Sequence, residues 1–174
     1  SLLYHLYPPT MVTSVEAPRN ARPVEGVKEH ITSRRVPGFN APSSGNALAS
    51  RVPLMFNADC VIAVARPDAA DPEARFYKNA DSDEVVFIHD GTGTLHTMFG
   101  DLAYKPGDYL VVPRGVIHRW SPEKGSDQRW LVIESAQPIV TPKRYRNHFG
   151  QLLEHSPYCE RDFRSPELQE PVNQ

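Results

Sequence analysis

The stretch Glu84-Val-Val-Phe-Ile-His-Asp-Gly91-Thr-Gly93, continued by Thr94-Leu-His-Thr-Met-Phe99 and Pro106-Gly-Asp-Tyr-Leu-Val-Val-Pro113-Arg-Gly115-Val-Ile-His118, decides the fold. Its short apolar runs are separated by glycine-bearing turns at residues 90–93 and 106–108, the pattern of consecutive antiparallel strands. Residues 85–88 form an unbroken apolar run of strand length and read as a strand buried on both faces. Tyr109–Val112 reads similarly, and Pro113 closes it because proline cannot donate to a central ladder. The expected fold class is all-β, a sandwich or barrel.

Two spacings sharpen this. The pattern G-x5-P-x-G-x2-H is met in full by Gly107, Pro113, Gly115 and His118. The pattern H-x-H-x3-4-E-x6-G is met only in its second half, by Glu84 and Gly91. On these motifs the chain resembles the cupins, small jelly-roll (RmlC-like) barrels. Where the two histidines of a complete cupin stand, this chain has Lys78 and Ala80, or Tyr77 and Asn79 with the longer spacing. Of the four residues that bind metal in a complete cupin, Glu84 and His118 remain.

A chain of 174 residues is long enough for one domain with a substantial core. A net charge of −2 gives no electrostatic case for nucleic acid or an anionic membrane surface as a partner. No stretch approaches the ~20 apolar residues that span a bilayer. Nor does a basic start precede an apolar run, so a cytoplasmic location is the expectation. In that setting Cys60 and Cys159 are expected as reduced thiols. Seventeen prolines against ten glycines favour short strands and ordered loops over long helices.

Residues 1–52 read as an arm that packs on the barrel, with strand-like runs at 2–15 and 29–36 in a proline- and glycine-punctuated background. Residues 53–141 read as the barrel. They begin with a hairpin in which Leu54-Met-Phe56 and Cys60–Ala65 flank the turn-prone Asn57-Ala-Asp59. Residues 142–174 read as a short helix over 142–155, with Phe149, Leu152 and Leu153 on one side, and then a linker-like acidic tail. That ending, and a start at Ser1 without methionine, suggest a piece of something longer.

Glu84 and His118 are expected to point inward from neighbouring strands near the barrel mouth, with Asn79 beside them in a mouth pocket. Imidazole plus carboxylate suits Fe(II), Mn(II) or Zn(II). Two protein ligands are few for a catalytic metal, and a third would have to come from His96. The plain alternative is a pair that hydrogen-bond each other inside a barrel. His89, at the end of its strand, reads as exposed or capped, and His148 and His155 as surface or interface residues. Cys60 reads as an inert residue of an apolar strand.

A narrower resemblance rests on Pro53-Leu-Met-Phe-Asn-Ala-Asp59, Phe76-Tyr-Lys-Asn-Ala-Asp-Ser-Asp-Glu84, Gly107-Asp-Tyr-Leu-Val-Val-Pro-Arg-Gly115, Arg144-Tyr-Arg-Asn147 and Gly150-Gln-Leu-Leu-Glu-His155. These resemble the amino-terminal half of the homogentisate 1,2-dioxygenases. The resemblance implies a two-cupin enzyme that opens the ring of homogentisate with O2 to give maleylacetoacetate, in tyrosine and phenylalanine breakdown. It implies one Fe(II), held by two histidines and a glutamate of the carboxy-terminal cupin, so no iron ligand, catalytic residue or cofactor contact falls in this chain. The implied partners are that carboxy-terminal half, further subunits of a homo-oligomer and a small aromatic acid substrate. Trp120, Trp130, Arg144, Tyr145, Arg146 and Tyr158 are the candidate interface residues, since aromatic and arginine side chains dominate such anchors. Two readings from other classes stay open. One is a self-contained metal-dependent cupin enzyme using Glu84, His118 and His96, and the other a non-catalytic cupin that binds a small molecule.

Overall fold

The computed structural model describes residues 10–15, 23, 24, 26, 30, 32–68, 70 and 74–170. Among the described residues eight strands run β1 (Arg51–Phe56), β2 (Cys60–Ala65), β3 (Asp83–Asp90), β4 (Gly93–Thr97), β5 (Gly100–Tyr104), β6 (Tyr109–Val112), β7 (His118–Pro122) and β8 (Arg129–Ser135). They form two antiparallel sheets, one in the order β1-β2-β8-β3-β6 and the other β5-β4-β7. This is the cupin barrel.

The alternation of side chains along each strand builds the interior. Val86 and Ile88 on β3, Leu110 and Val112 on β6, Val132 on β8 and Leu95 on β4 all point inward and are buried. Three rings close the core, with centroids 4.7 Å apart for Trp120 and Trp130 and 5.6 and 5.7 Å from each to Tyr104. Gln128 satisfies the polar atoms there. Its Oε1 accepts from Trp130 Nε1 at 3.0 Å and its Nε2 donates to the Thr92 carbonyl at 2.7 Å.

The hairpin about residues 57–59 forms as expected. Asn57 Oδ1 accepts from the backbone N–H groups of Asp59 and Cys60, which fixes the turn. Both cysteines are free thiols, Cys159 buried and Cys60 half-buried at the start of β2.

Several expectations are corrected. The strand Tyr109–Val112 is not buried on both faces: it is the edge of its sheet, and Tyr109 and Val111 point outward, 69% and 50% exposed. Among the described strands, consecutive ones pair only as β1–β2 and β4–β5, because β8 lies between β2 and β3 and the chain changes sheet after β3, β5, β6 and β7. Residues 142–155 hold no α-helix, only a 3-10 turn at Lys143–Tyr145. Asn147 is the reason: its Oδ1 accepts from the N–H of Phe149 and Gln151, and Gly150 follows at φ 89°. The described part of the acidic tail, through residue 170, is docked where a linker was expected. Glu167 pairs with Asp101 at the edge of β5, and Arg164 bonds the Ala103 carbonyl and Asp108. Trp120 and Trp130, taken as interface candidates, are core residues, each 3% exposed. The expected strand-like run at 2–15 lies outside the described residues through residue 9, and the one at 29–36 is described only in part; residues 10–15 and 32–36 are irregular.

Candidate functional site

Glu84 faces the interior from β3 and His118 from β7, 1% and 0% exposed. Their strands lie in different sheets, so the two side chains approach across the barrel and not from neighbouring strands as expected. They do not bond each other. His118 Nδ1 is 2.9 Å from the Val116 carbonyl, which makes it the protonated nitrogen, and Nε2 has no partner among the described residues.

What satisfies Glu84 is Arg51, on β1. On one face of the large sheet Glu84 and Glu134 stand directly opposite each other, a repulsive pairing by itself. The guanidinium lies between them. Nη1 donates to Glu84 Oε1 at 3.2 Å and to Glu134 Oε1 at 2.7 Å, and Nη2 donates to Glu84 Oε2 at 2.8 Å and the Tyr77 phenol oxygen at 3.0 Å. Asn79 Nδ2 completes the set, donating to Glu84 Oε1 at 2.9 Å and Glu134 Oε2 at 3.3 Å. The planar fork of arginine matches a carboxylate bidentately, as a lysine would not.

Tyr77 ties this network to the other sheet. Its backbone exchanges two hydrogen bonds of 2.9 Å with His118, and its ring packs 4.2 Å from the imidazole. Tyr77 and Asn79 therefore both turn toward Glu84. The longer of the two motif spacings describes the fold, and a phenol and an amide stand in the histidine positions.

Burial works against the Arg51 charge, but Tyr77, Glu84 and Glu134 more than offset it, and the guanidinium stays protonated. Burial alone would raise the Glu84 carboxyl; the charge and hydrogen bonds of Arg51, helped by Asn79, outweigh it and hold the group below its ordinary range. Burial lowers His118, only partly countered by the Val116 carbonyl and Glu84, so the imidazole is neutral. Burial pushes the Tyr77 phenol up.

A cavity of about 770 Å³ opens above the network, lined by Arg51, Tyr77, Asn79, Glu84 and Glu134 with Pro53, Phe56 and Val61 on the apolar side. Of the three residues expected in a mouth pocket, Asn79 and Glu84 line this cavity and His118 does not. His96 is not brought to the site. Leu95, its neighbour on β4, takes the inward position, and His96 Nδ1 pairs outside with Asp101 at 2.8 Å. Among the described residues no three His, Cys, Asp or Glu side chains are grouped to hold a metal ion. Arg144, Tyr145, Arg146 and Tyr158 lie away from the barrel interior on the surface segment after residue 141. Arg144 stacks 4.8 Å over Tyr145, whose ring meets Tyr158 at 5.5 Å.

Arg51 and Glu134 went unread in the sequence. The signal was an arginine inside the apolar run Ser50-Arg-Val-Pro-Leu-Met-Phe56, since a charge in a buried strand requires a partner.

Two facing antiparallel sheets, with Gly107, Pro113, Gly115 and His118 in their motif positions, give the cupin barrel fold. Residues 67–134 match the Cupin domain family. Over 168 residues the chain is 34% identical to the Saccharolobus solfataricus protein named "Putative dioxygenase SSO1533", covering 97% of this chain and 43% of that one. The chain therefore spans less than half the length of that relative. Among solved structures, a Ralstonia eutropha JMP134 protein described as a "putative mannose-6-phosphate isomerase" superposes with a TM-score of 0.50 at 21% identity, over 59% of this chain and 98% of its own, and shares the fold. No helix among the described residues is long and apolar enough to cross a membrane.

Proposed function

We propose that this chain is the amino-terminal, metal-free cupin of a ring-cleaving, non-haem Fe(II) dioxygenase of the homogentisate 1,2-dioxygenase type, and that it acts as scaffold and subunit-contact domain. The observation that carries the reading is the Arg51 guanidinium held between Glu84 and Glu134. A cupin metal needs open coordination around its carboxylate, and here both oxygens of Glu84 are taken by a fixed cation. The donors do not fit Fe(II): the Glu84 carboxylate is already paired with Arg51, His118 is the one buried imidazole beside it, and the histidine positions carry Tyr77 and Asn79. The coverage of the Saccharolobus solfataricus relative, whose name is that of a dioxygenase, supports a longer enzyme of which this is one part. Iron ligands and the aromatic acid pocket then belong to a carboxy-terminal cupin. The surface cluster of Arg144, Tyr145, Arg146 and Tyr158 supplies contacts within a homo-oligomer.

The test is oxygen uptake with homogentisate by the purified 174-residue chain, alone and with a carboxy-terminal half supplied in trans, beside its metal content. The expected result is little iron and no uptake by the chain alone, with uptake appearing on addition of the partner. Uptake by the lone chain at an enzyme-like rate would overturn the reading.

A further inference from the structure

The strand β6 is a sheet edge left open among the described residues. The Ile88 N–H bonds the Asp108 carbonyl at 2.9 Å, and alternation along the antiparallel pair then gives Leu110 and Val112 the backbone bonds to β3. The N–H and C=O groups of Tyr109 and Val111 face away from the sheet, and no backbone group of the described residues pairs with them. Both edges of the smaller sheet differ: Glu167 pairs with Asp101 on β5, and Tyr77 with His118 on β7. The open edge is also chemically unguarded. Exposed edges are commonly blunted by charged residues or proline, whereas Tyr109–Val112 carries neither. Tyr109 packs 4.6 Å from Phe87 on the outer face of the sheet, and half-buried Val85, Leu131 and Ile133 continue that apolar face across β3 and β8.

Chain length and the course of the tail select the occupant. This chain covers 43% of the Saccharolobus solfataricus relative, so a protein built on that plan has a second body of similar size to place. Arg164 bonds the Ala103 carbonyl and the Asp108 carboxylate, which holds the tail against the residue before Tyr109. A domain tethered by that tail meets β6 at a far higher effective concentration than a second free chain does. We infer that the carboxy-terminal cupin docks on this edge by strand addition. One of its own edge strands exchanges backbone hydrogen bonds with Tyr109 and Val111, and its apolar side chains cover Tyr109, Val111 and Phe87. The inference rests on the reading of this chain as the amino-terminal part of a longer protein, and it places the contact between the halves away from the surface cluster of residues 144–158.

Hydrogen exchange read by mass spectrometry tests it in the 174-residue chain and in the full-length protein that carries it. In the lone chain the amides of Tyr109 and Val111 are expected to exchange early and those of Leu110 and Val112 late. In the full-length protein all four are expected late, the first two slowed at least tenfold whatever the protein concentration. Val111→Lys in the full-length protein is expected to return the edge amides to fast exchange, and Tyr109→Lys to act alike. Met55→Lys, at a residue 61% exposed on β1, the opposite edge of the same sheet, is expected to leave them slow. Fast exchange at Tyr109 and Val111 in the full-length protein, or slow exchange that survives both lysine variants, overturns the inference and leaves the dioxygenase reading standing. Protection that grows with concentration in the lone chain also overturns it, since the occupant is then a second copy. A reading frame that stops at Gln174 removes the inference and the reading together.

Discussion

Glu84 and Glu134 are direct cross-strand partners on β3 and β8, and their carboxylates share one guanidinium, that of Arg51. Three charges are thus buried or nearly so in a place where a cupin of the metal-binding kind holds an ion. The arrangement predicts strong asymmetry between breaking the network and replacing it. Arg51→Met leaves Glu84 charged, buried and without its cation, and is expected to destabilise the fold by about 3–5 kcal/mol. Arg51→Lys keeps the charge without the bidentate fork and should lose less. Urea unfolding at neutral pH measures both; equal stability of wild type and Arg51→Met would show that the network carries no weight.

Acid should undo the same network in a defined order. The neutral folded His118 has its pKa below the ordinary 6.5, so under that pH the unfolded chain binds the extra proton. Stability from this group is complete above about 6.5 and is lost as pH falls toward the folded value, with a slope of at most about 1.4 kcal/mol per pH unit. Glu84 acts lower: held below its ordinary 4.5, it contributes stability that is present above that value and lost as pH falls through the folded pKa. His118→Phe should flatten the upper part of a stability–pH curve measured by denaturant unfolding and leave the lower part. A curve unchanged by the substitution would mean that the imidazole titrates alike in both states.

The tail contact gives a local prediction. Gly100 has φ 119°, and a Cβ there would collide with the Glu167 carbonyl oxygen. Gly100→Ala should therefore release the segment around Glu167 from β5, raising proteolysis there, at a backbone cost of about 1–2 kcal/mol in the barrel. Limited proteolysis read by mass spectrometry decides it. Unaltered cleavage in a folded variant would show that the tail is held by other contacts, such as Arg164 to Asp108.

How much of this was legible in the sequence depends on the range of the interaction concerned. The apolar runs and glycine turns marked β3 and β6 because strand patterning is local, and the motif spacing brought Glu84 and His118 into one interior. Arg51 was not legible as their partner: the contact spans 33 residues and depends on β1 lying beside β2 in register, which no local pattern encodes. The outward exposure of Tyr109 and Val111 follows from β6 being a sheet edge, again a matter of topology. The helix misread over 142–155 is the opposite case. There a local competitor, the Asn147 side chain, takes the backbone donors that a helix would use.

The register of Tyr77 and Asn79 permits the most demanding test. Both side chains reach Glu84, at 3.4 and 2.9 Å, and Tyr77 pairs through its backbone with His118, so these positions stand where a complete cupin places its histidines. If Arg51 substitutes electrostatically for an ion there, removing it and restoring the imidazoles should create a metal site. The combined variant Arg51→Ala, Tyr77→His, Asn79→His is expected to bind Co(II) with the visible absorption of nitrogen and carboxylate ligation, and to gain stability on metal addition as RT ln(1 + [L]/Kd). The wild-type chain should do neither, and Arg51→Ala alone should bind weakly, because Glu84, Glu134 and His118 do not supply the second and third imidazole. A folded triple variant that takes up no Co(II) would show that residues 77 and 79 do not occupy ligand positions, and the account of Arg51 as a resident counter-ion would fall with it.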